Sequence, residues 1–122
     1  MPDVVTLPWY LDNHPHHRKT NEIFAQAARK LDCMILGYEI WSLLRPNAYL
    51  DITSSLDRKL EAIALYETQL RTVDYVGFAA SLARVRAFHL PVNRTRSGAV
   101  EAYIALPCRD YCDLVTRVAK YS

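Results

Sequence analysis

The stretch LPWYLDNHPHHRKTNEIFAQAARK, residues 7–30, decides the fold because two periodicities meet in it. Residues 3–9, DVVTLPW, read as a short strand bounded by Pro8. From Pro15 to about Leu31 the pattern is helical. Ile23, Phe24, Ala27, Ala28 and Leu31 recur at spacings that predict one apolar stripe. A strand handing over to a helix is the opening of an α/β layer. Three of the four histidines, His14, His16 and His17, sit at that junction.

Pro15 suits the first helical position, because its missing N–H has no partner to lose there. His14 then falls at the N-cap and His17 in the first turn. Residues three apart on a helix share a face, so both rings can address one cleft. That cleft lies at the carboxyl end of the first strand, where open α/β sheets place their ligands. The helix N-terminus adds positive potential, which favours an anion or a developing oxyanion. Spacing alone leaves two readings open: metal ligands, or surface imidazoles near a helix start. A catalytic zinc takes three protein ligands, and His-x-x-His supplies two at most. His89, far off beside Pro91, reads as structural.

Working outward, CMILGYEIWS at 33–42 is a near-continuous apolar run and predicts a strand buried on both faces, with Gly37 a weak point. RPN at 45–47 is a turn. DITSSLDRKLEAIALYETQLR at 51–71 predicts the clearest helix. Ser54 and Asp57 stand at capping-box spacing, and Leu56, Leu60, Ile63, Tyr66 and Leu70 share one face. A further helix is expected over 75–88 with Phe78, Leu82 and Val85 inward. A polar loop follows at 92–98 and a strand at 99–106. A last helix begins at Pro107, with Tyr111, Leu114, Val115 and Val118 inward. The expected order is β-α-β-α-α-β-α, an α/β fold with three parallel strands. So thin a sheet exposes two edges, and the chain reads like the second half of something larger.

The 122 residues are expected to form a single domain. About half are apolar and the formal charge is +2, a globular composition that implies neither a nucleic-acid nor a membrane-surface partner. No apolar stretch is long enough for a membrane span. MPDVV carries no signal-peptide pattern, and three cysteines suggest reduced thiols, so a cytoplasmic location is expected.

PWYLDNHPHHRKT closely resembles the second motif of the LmbE-like (PIG-L) metal-dependent N-deacetylases, P-W-x-x-D-x-H-P-D-H-R-x-T. LGYEIW resembles the family's Y-E-x-W strand. LDITSSLDRKLEAIALYETQL resembles its D-I-S/T helix, and VEAYIAL its E-A-F strand. The likeness runs in order from about residue 4 to 118. It implies a Rossmann-like three-layer fold, of which this chain would be the C-terminal part. It also implies a Zn2+-dependent hydrolase that removes acetyl from N-acetylglucosaminyl-type conjugates, with homo-oligomers common.

On this resemblance His17 corresponds to a zinc ligand. His14 corresponds to the residue that stabilises the oxyanion and acts as general acid. Two departures matter. The family's other motif, A-H-P-D-D-E, supplies a His and an Asp ligand plus the Asp base, and no such stretch occurs here. His16 stands where the family has Asp, an anion that orients the neighbouring histidine; Asp12 is the candidate substitute as the carboxylate partner of His14. The chain is therefore expected to be a partial domain, inactive alone. It is half of a split enzyme, a truncated deacetylase, or a non-catalytic remnant serving as an interaction module.

Lesser candidates remain. Asp51 matches the family's D-I-T position or caps a helix. Lys59 and Gln69 match the family helix or are merely solvated. Arg94 and Arg96, with Arg84 and Arg86, form a basic region able to meet a substrate phosphate, or a solvated loop. Glu101 is placed to pair with an arginine. Cys108 and Cys112 suit helix packing better than zinc. Tyr38 and Trp41 are core residues or a sugar-stacking platform.

Overall fold

The computed structural model describes residues 1–90 and 98–121. Within them the chain divides into two compact units, Met1–Ala48 with Ala102–Ser122, and Tyr49–Glu101. The predicted loop at 92–98, with Arg94 and Arg96, lies almost wholly outside the described residues.

The first unit is built on a β-α-β crossover. Strand β1 (Val4–Pro8) is followed by helix α1 (Pro15–Ala28) and strand β2 (Met34–Tyr38), which runs parallel to β1 with Val4 opposite Met34 and Pro8 opposite Tyr38. Strand β4 (Val100–Pro107) lies antiparallel to β2, pairing Met34 with Pro107 and Tyr38 with Tyr103. Helix α5 (Cys108–Ala119) begins directly after it, with Cys108 N–H donating to Cys33 O at 2.9 Å. The sheet is mixed and four-stranded, in the order β1-β2-β4-β3, with β3 at Ala48–Asp51. This corrects the expectation of three parallel strands.

The core of this unit gathers Leu7, Ala25, Cys33, Ile35, Cys108, Tyr111, Cys112 and Val115. Helices α1 and α5 pack against one another and against β1 and β2. On α1 the buried stripe runs through Asn21 and Ala25, with Phe24 and Ala28 half-buried, while Ile23 and Ala27 are exposed. The apolar stripe read from the sequence is thus turned by about one residue, which brings small Ala25 to the close contact and polar Asn21 into the interior. Asn21 is satisfied there. Its Nδ2 donates to Pro8 O at 2.7 Å and His17 O at 2.9 Å, and its Oδ1 accepts from Tyr111 Oη–H at 2.9 Å.

Gly37 is no weak point in β2. A Cβ there would stand 2.7 Å from Ile104 Cγ2 and 3.1 Å from Trp9 Cβ, so bare backbone is what lets β2 sit between them. Strand β2 ends at Tyr38 instead of running to residue 42, and residues 39–42 form a loop that turns back over the end of β1.

In the second unit the long predicted helix is broken. Asp51 ends β3, a 3-10 turn occupies Thr53–Ser55, α2 spans Leu56–Ala64 and α3 spans Glu67–Leu70. No capping box forms: Ser55 is the N-cap residue and makes no side-chain cap bond. Tyr66, expected inward, is exposed. Helix α4 (Tyr75–His89) starts at Asp74, whose carboxylate accepts from Gly77 N–H at 2.9 Å. Its buried residues are Ala83 and Ala87. Phe78 and Val85 face outward, contrary to expectation, because the small residues give the closer approach. Ile52, Ala83 and Ala99 form the unit's core, with Leu56 packed against it. No helix among the described residues is long and apolar enough to cross a membrane.

Candidate functional site

The site sits where β1 gives way to α1. Pro15 opens the helix and His14 is its N-cap, in extended conformation, with Nδ1 accepting from His16 N–H at 3.2 Å. That bond assigns the proton of His14 to Nε2, its outer nitrogen. His17, one turn on, sets its ring 4.6 Å from that of His14 between centroids. His17 Nδ1 meets Asp12 Oδ1 at 3.1 Å, which makes Nδ1 the donor and, in the neutral ring, leaves Nε2 as the acceptor. The two neighbouring imidazoles therefore present opposite characters: a donor on His14 and an acceptor on His17.

Asp12 holds the arrangement. It is fully buried, yet every contact is a donor. Oδ1 accepts from His14 N–H at 3.0 Å as well as from the His17 ring, and Oδ2 accepts from Trp41 N–H at 3.0 Å and Ser42 N–H at 3.3 Å. Burial by itself raises a carboxylate's pKa. Here the backbone N–H groups of His14 and Trp41, the His17 ring and the Ser42 N–H reverse that effect and hold Asp12 below its ordinary value of 3.8. The suggested pairing of Asp12 with the His14 ring is corrected: its contact with His14 is to the backbone, and its ring partner is His17.

Trp41 completes the cluster. Its ring centroid lies 5.3 Å from that of His14, and the residue is 49% exposed. The His16 ring also touches His14, at 5.1 Å between centroids, and is exposed. Trp9 is tied to the same loop by its indole N–H, which donates to Ser42 O at 2.9 Å. Tyr38 is half-buried, and its pKa is raised by burial and by the charge of Asp12.

Other candidates stand elsewhere. Asp51 makes a local turn, its Oδ1 accepting from Thr53 N–H at 2.9 Å and Thr53 Oγ–H at 2.6 Å; those bonds hold its pKa down. Lys59 pairs with Glu101 at 2.6 Å, so the partner of Glu101 is a lysine and not an arginine. Gln69 is exposed, and His89 Nδ1 faces Val85 O at 2.9 Å within α4. Cys108 and Cys112 pack in the core with sulfurs 3.9 Å apart, and burial pushes both thiols up.

Two features escaped the sequence. The Trp41 and Ser42 backbone donors join Asp12 across about thirty positions, a contact with no local signature. Asn21 bore a readable signal, a polar residue one turn after His17 on the helix face that carries His17.

Among the described residues no three His, Cys, Asp or Glu side chains group closely enough to hold a metal ion. The His17 imidazole is the one in this cluster whose ring is hydrogen-bonded to a carboxylate. Comparison with protein-family models, with curated proteins and with solved structures returned no match.

Proposed function

We propose that this chain carries the histidine part of an LmbE-like N-deacetylase site, acting on the acetamido group of an N-acetylglucosaminyl conjugate once other polypeptide supplies the missing ligands and base. The observation that supports this most is the His17–Asp12 contact at 3.1 Å beside the His14 ring. A carboxylate on Nδ1 is the usual outer partner of a metal-ligating histidine, fixing both tautomer and ring plane.

In this reading His17 Nε2 is the chain's one Zn2+ ligand. His14 Nε2–H donates a hydrogen bond to the oxygen that gains charge as the amide carbonyl is attacked; with Nδ1 accepting from His16 N–H, it can give a proton to the departing amine only in a conformation that frees Nδ1 to be protonated too. Asp12 touches no substrate; it positions His17 and, through the backbone, the start of α1. The free, buried thiols of Cys33, Cys108 and Cys112 favour a reducing compartment and so a cytoplasmic location.

The test pairs calorimetry with acetate release. The chain alone should bind Zn2+ weakly, with the signal lost in His17→Ala, and should release no acetate from an N-acetylglucosaminide. Adding a polypeptide that bears the His-Pro-Asp-Asp-Glu segment should bring both tight binding and release. Tight one-to-one zinc binding that survives His17→Ala overturns the part-site. Zinc binding without release under complementation favours the second reading, a non-catalytic interaction module.

A further inference from the structure

We propose that the free edge of β1 pairs antiparallel with the same edge of a second copy of this chain, about a twofold axis through Val5. The axis lies at mid-strand and the histidines lie past the carboxyl end of β1, so this pairing neither needs nor completes the site at His17.

β1 stands at one end of the order β1-β2-β4-β3, and among the described residues β2 is its one strand neighbour. Asp3 O accepts from Met34 N–H at 2.9 Å and Trp9 N–H donates to Tyr38 O at 2.9 Å, so the odd-numbered residues turn their backbone groups to β2. Alternation then turns those of Val4, Thr6 and Pro8 outward. Val4 is 50% exposed, and Thr6 is exposed as well. Pro8 has no N–H, and its carbonyl already accepts from Asn21 Nδ2 at 2.7 Å and Tyr111 Oη–H at 3.1 Å. Pro2, the next outward position toward the amino end, has no N–H either. The open N–H groups of this edge are thus those of Val4 and Thr6, bracketed by prolines.

That pattern complements itself in one register. With Val4 of one copy opposite Thr6 of the other, the pair exchanges both N–H···O bonds, and the twofold repeats it. Pro8 then meets Pro2 of the second copy, where no donor is missed. A slip of two residues sets Thr6 opposite Pro2 or Val4 opposite Pro8, and the absent proline N–H removes a bond from that pair. The side chains agree with the register. Val4, Val5 and Thr6 are all β-branched, which suits cross-strand packing. Val5, on the face that packs on the core, meets its own copy at the axis. Val4 stands beside Thr6 on the other face, where Met34, its partner on β2, is 39% exposed and extends the apolar surface. The strand ends agree too. Asp3 lies at the amino end, while the carboxyl end leads to the N-terminus of α1, whose first turn has no acidic residue; an antiparallel mate brings these ends together. So short an edge buries far less than the about 1,000 Å² of a stable interface, which makes the pairing weak, with a Kd on the order of 0.1–1 mM.

The experiment compares the wild-type chain at about 10 µM and about 1 mM, by sedimentation and by amide hydrogen exchange. Mass should rise toward the dimer, and exchange at Val4 and Thr6 should slow about two- to fivefold, the occupancy that such a Kd sets. Leu7 and Trp9, bonded to β2, should exchange slowly at both concentrations. Thr6→Pro removes an outward donor and leaves the bonds to β2; it should abolish both changes, and slow exchange at Leu7 and Trp9 verifies that β1 is still in place. Val5→Cys should be linked into a covalent homodimer by oxidised glutathione, since a residue at the axis meets its copy at a Cα separation of about 4.5 Å, and Val4→Cys should not. A chain that stays monomeric at the higher concentration overturns the proposal and leaves the prolines as guards of the edge. So does a dimer in which Val4 and Thr6 exchange as in the monomer, or one that Thr6→Pro forms equally well. Protection at Val4 and Thr6 that ignores concentration overturns it too, because the edge is then covered by something other than a second copy.

Discussion

Replacing Asp12 with Asn tests the site's construction most directly. The carboxylate accepts four hydrogen bonds, two on each oxygen. An amide has the same shape but one acceptor and one donor end. If its oxygen keeps the His14 N–H and the His17 ring, its NH2 is forced against the N–H groups of Trp41 and Ser42. The flipped amide still fails against the His14 N–H, although the His17 ring can meet it by carrying its proton on Nε2. One or two part-buried donors therefore lose their acceptor, at about 1–3 kcal/mol each, so the variant should lose about 1–6 kcal/mol. With an m-value of about 1–3 kcal/mol per molar urea, the midpoint falls by roughly 1–2 M. Both tryptophans lie in the first unit, so their fluorescence follows its unfolding.

The pH dependence has a fixed sign. Asp12 titrates below 3.8 in the folded chain, so its contribution is fully present above 3.8 and is lost as pH falls through the folded value. The gap between wild type and variant should hold from pH 7 to about 5 and close in strong acid. A variant within about 0.5 kcal/mol of wild type at pH 7, or a gap that widens on acidification, refutes the account of Asp12 as the brace.

Three further substitutions follow from particular contacts. Gly37→Ala puts a methyl 2.7 Å from Ile104 Cγ2 and should cost about 1–3 kcal/mol in urea unfolding. Tyr111→Phe removes the hydroxyl that reaches Asn21 Oδ1 at 2.9 Å and Pro8 O at 3.1 Å; a loss of about 1–2 kcal/mol is expected, with wild-type helix content by circular dichroism. Gly77→Ala drives a Cβ into Asp74 Oδ2, so the cap must swing away; it should cost about 1 kcal/mol, and combining it with Asp74→Ala should add little, as a double-mutant cycle would register.

The parts of the fold legible in the sequence are those set by local pattern. β1, α1, the core of β2, β4 and α5 lie close to their expected places because periodicity and Pro15 or Pro107 mark them. β3 escaped because Ala48–Asp51 shows no alternation and is mostly exposed; pairing with β4, not composition, makes it a strand. The break after α2 has no Gly or Pro to announce it, only Tyr66 in a non-helical conformation at φ −83° and ψ 62°. The inward faces of α1 and α4 were misjudged for one reason: close helix packing selects Ala25, Ala83 and Ala87 over the bulkier Ile23, Phe78 and Val85. At the site, the meeting of His14 and His17 follows from the helix start, while the role of Asp12 depends on a loop about thirty residues away and is visible only in three dimensions.

That loop is the end of a longer network. Polar contacts run without a gap from Tyr111 on α5 to Asn21, from Asn21 to the His17 carbonyl, from the His17 ring to Asp12, and from Asp12 to the 41–42 loop. The links are hydrogen bonds of 2.9–3.3 Å, and Asn21, Asp12 and Tyr111 are fully or almost fully buried. The His17 ring is consequently held before anything binds to it, and a ligand on Nε2 need not repay the rotamer freedom of a loose side chain. The network holds the His17 ring in one orientation, and that is the observation on which the proposal at His17 rests.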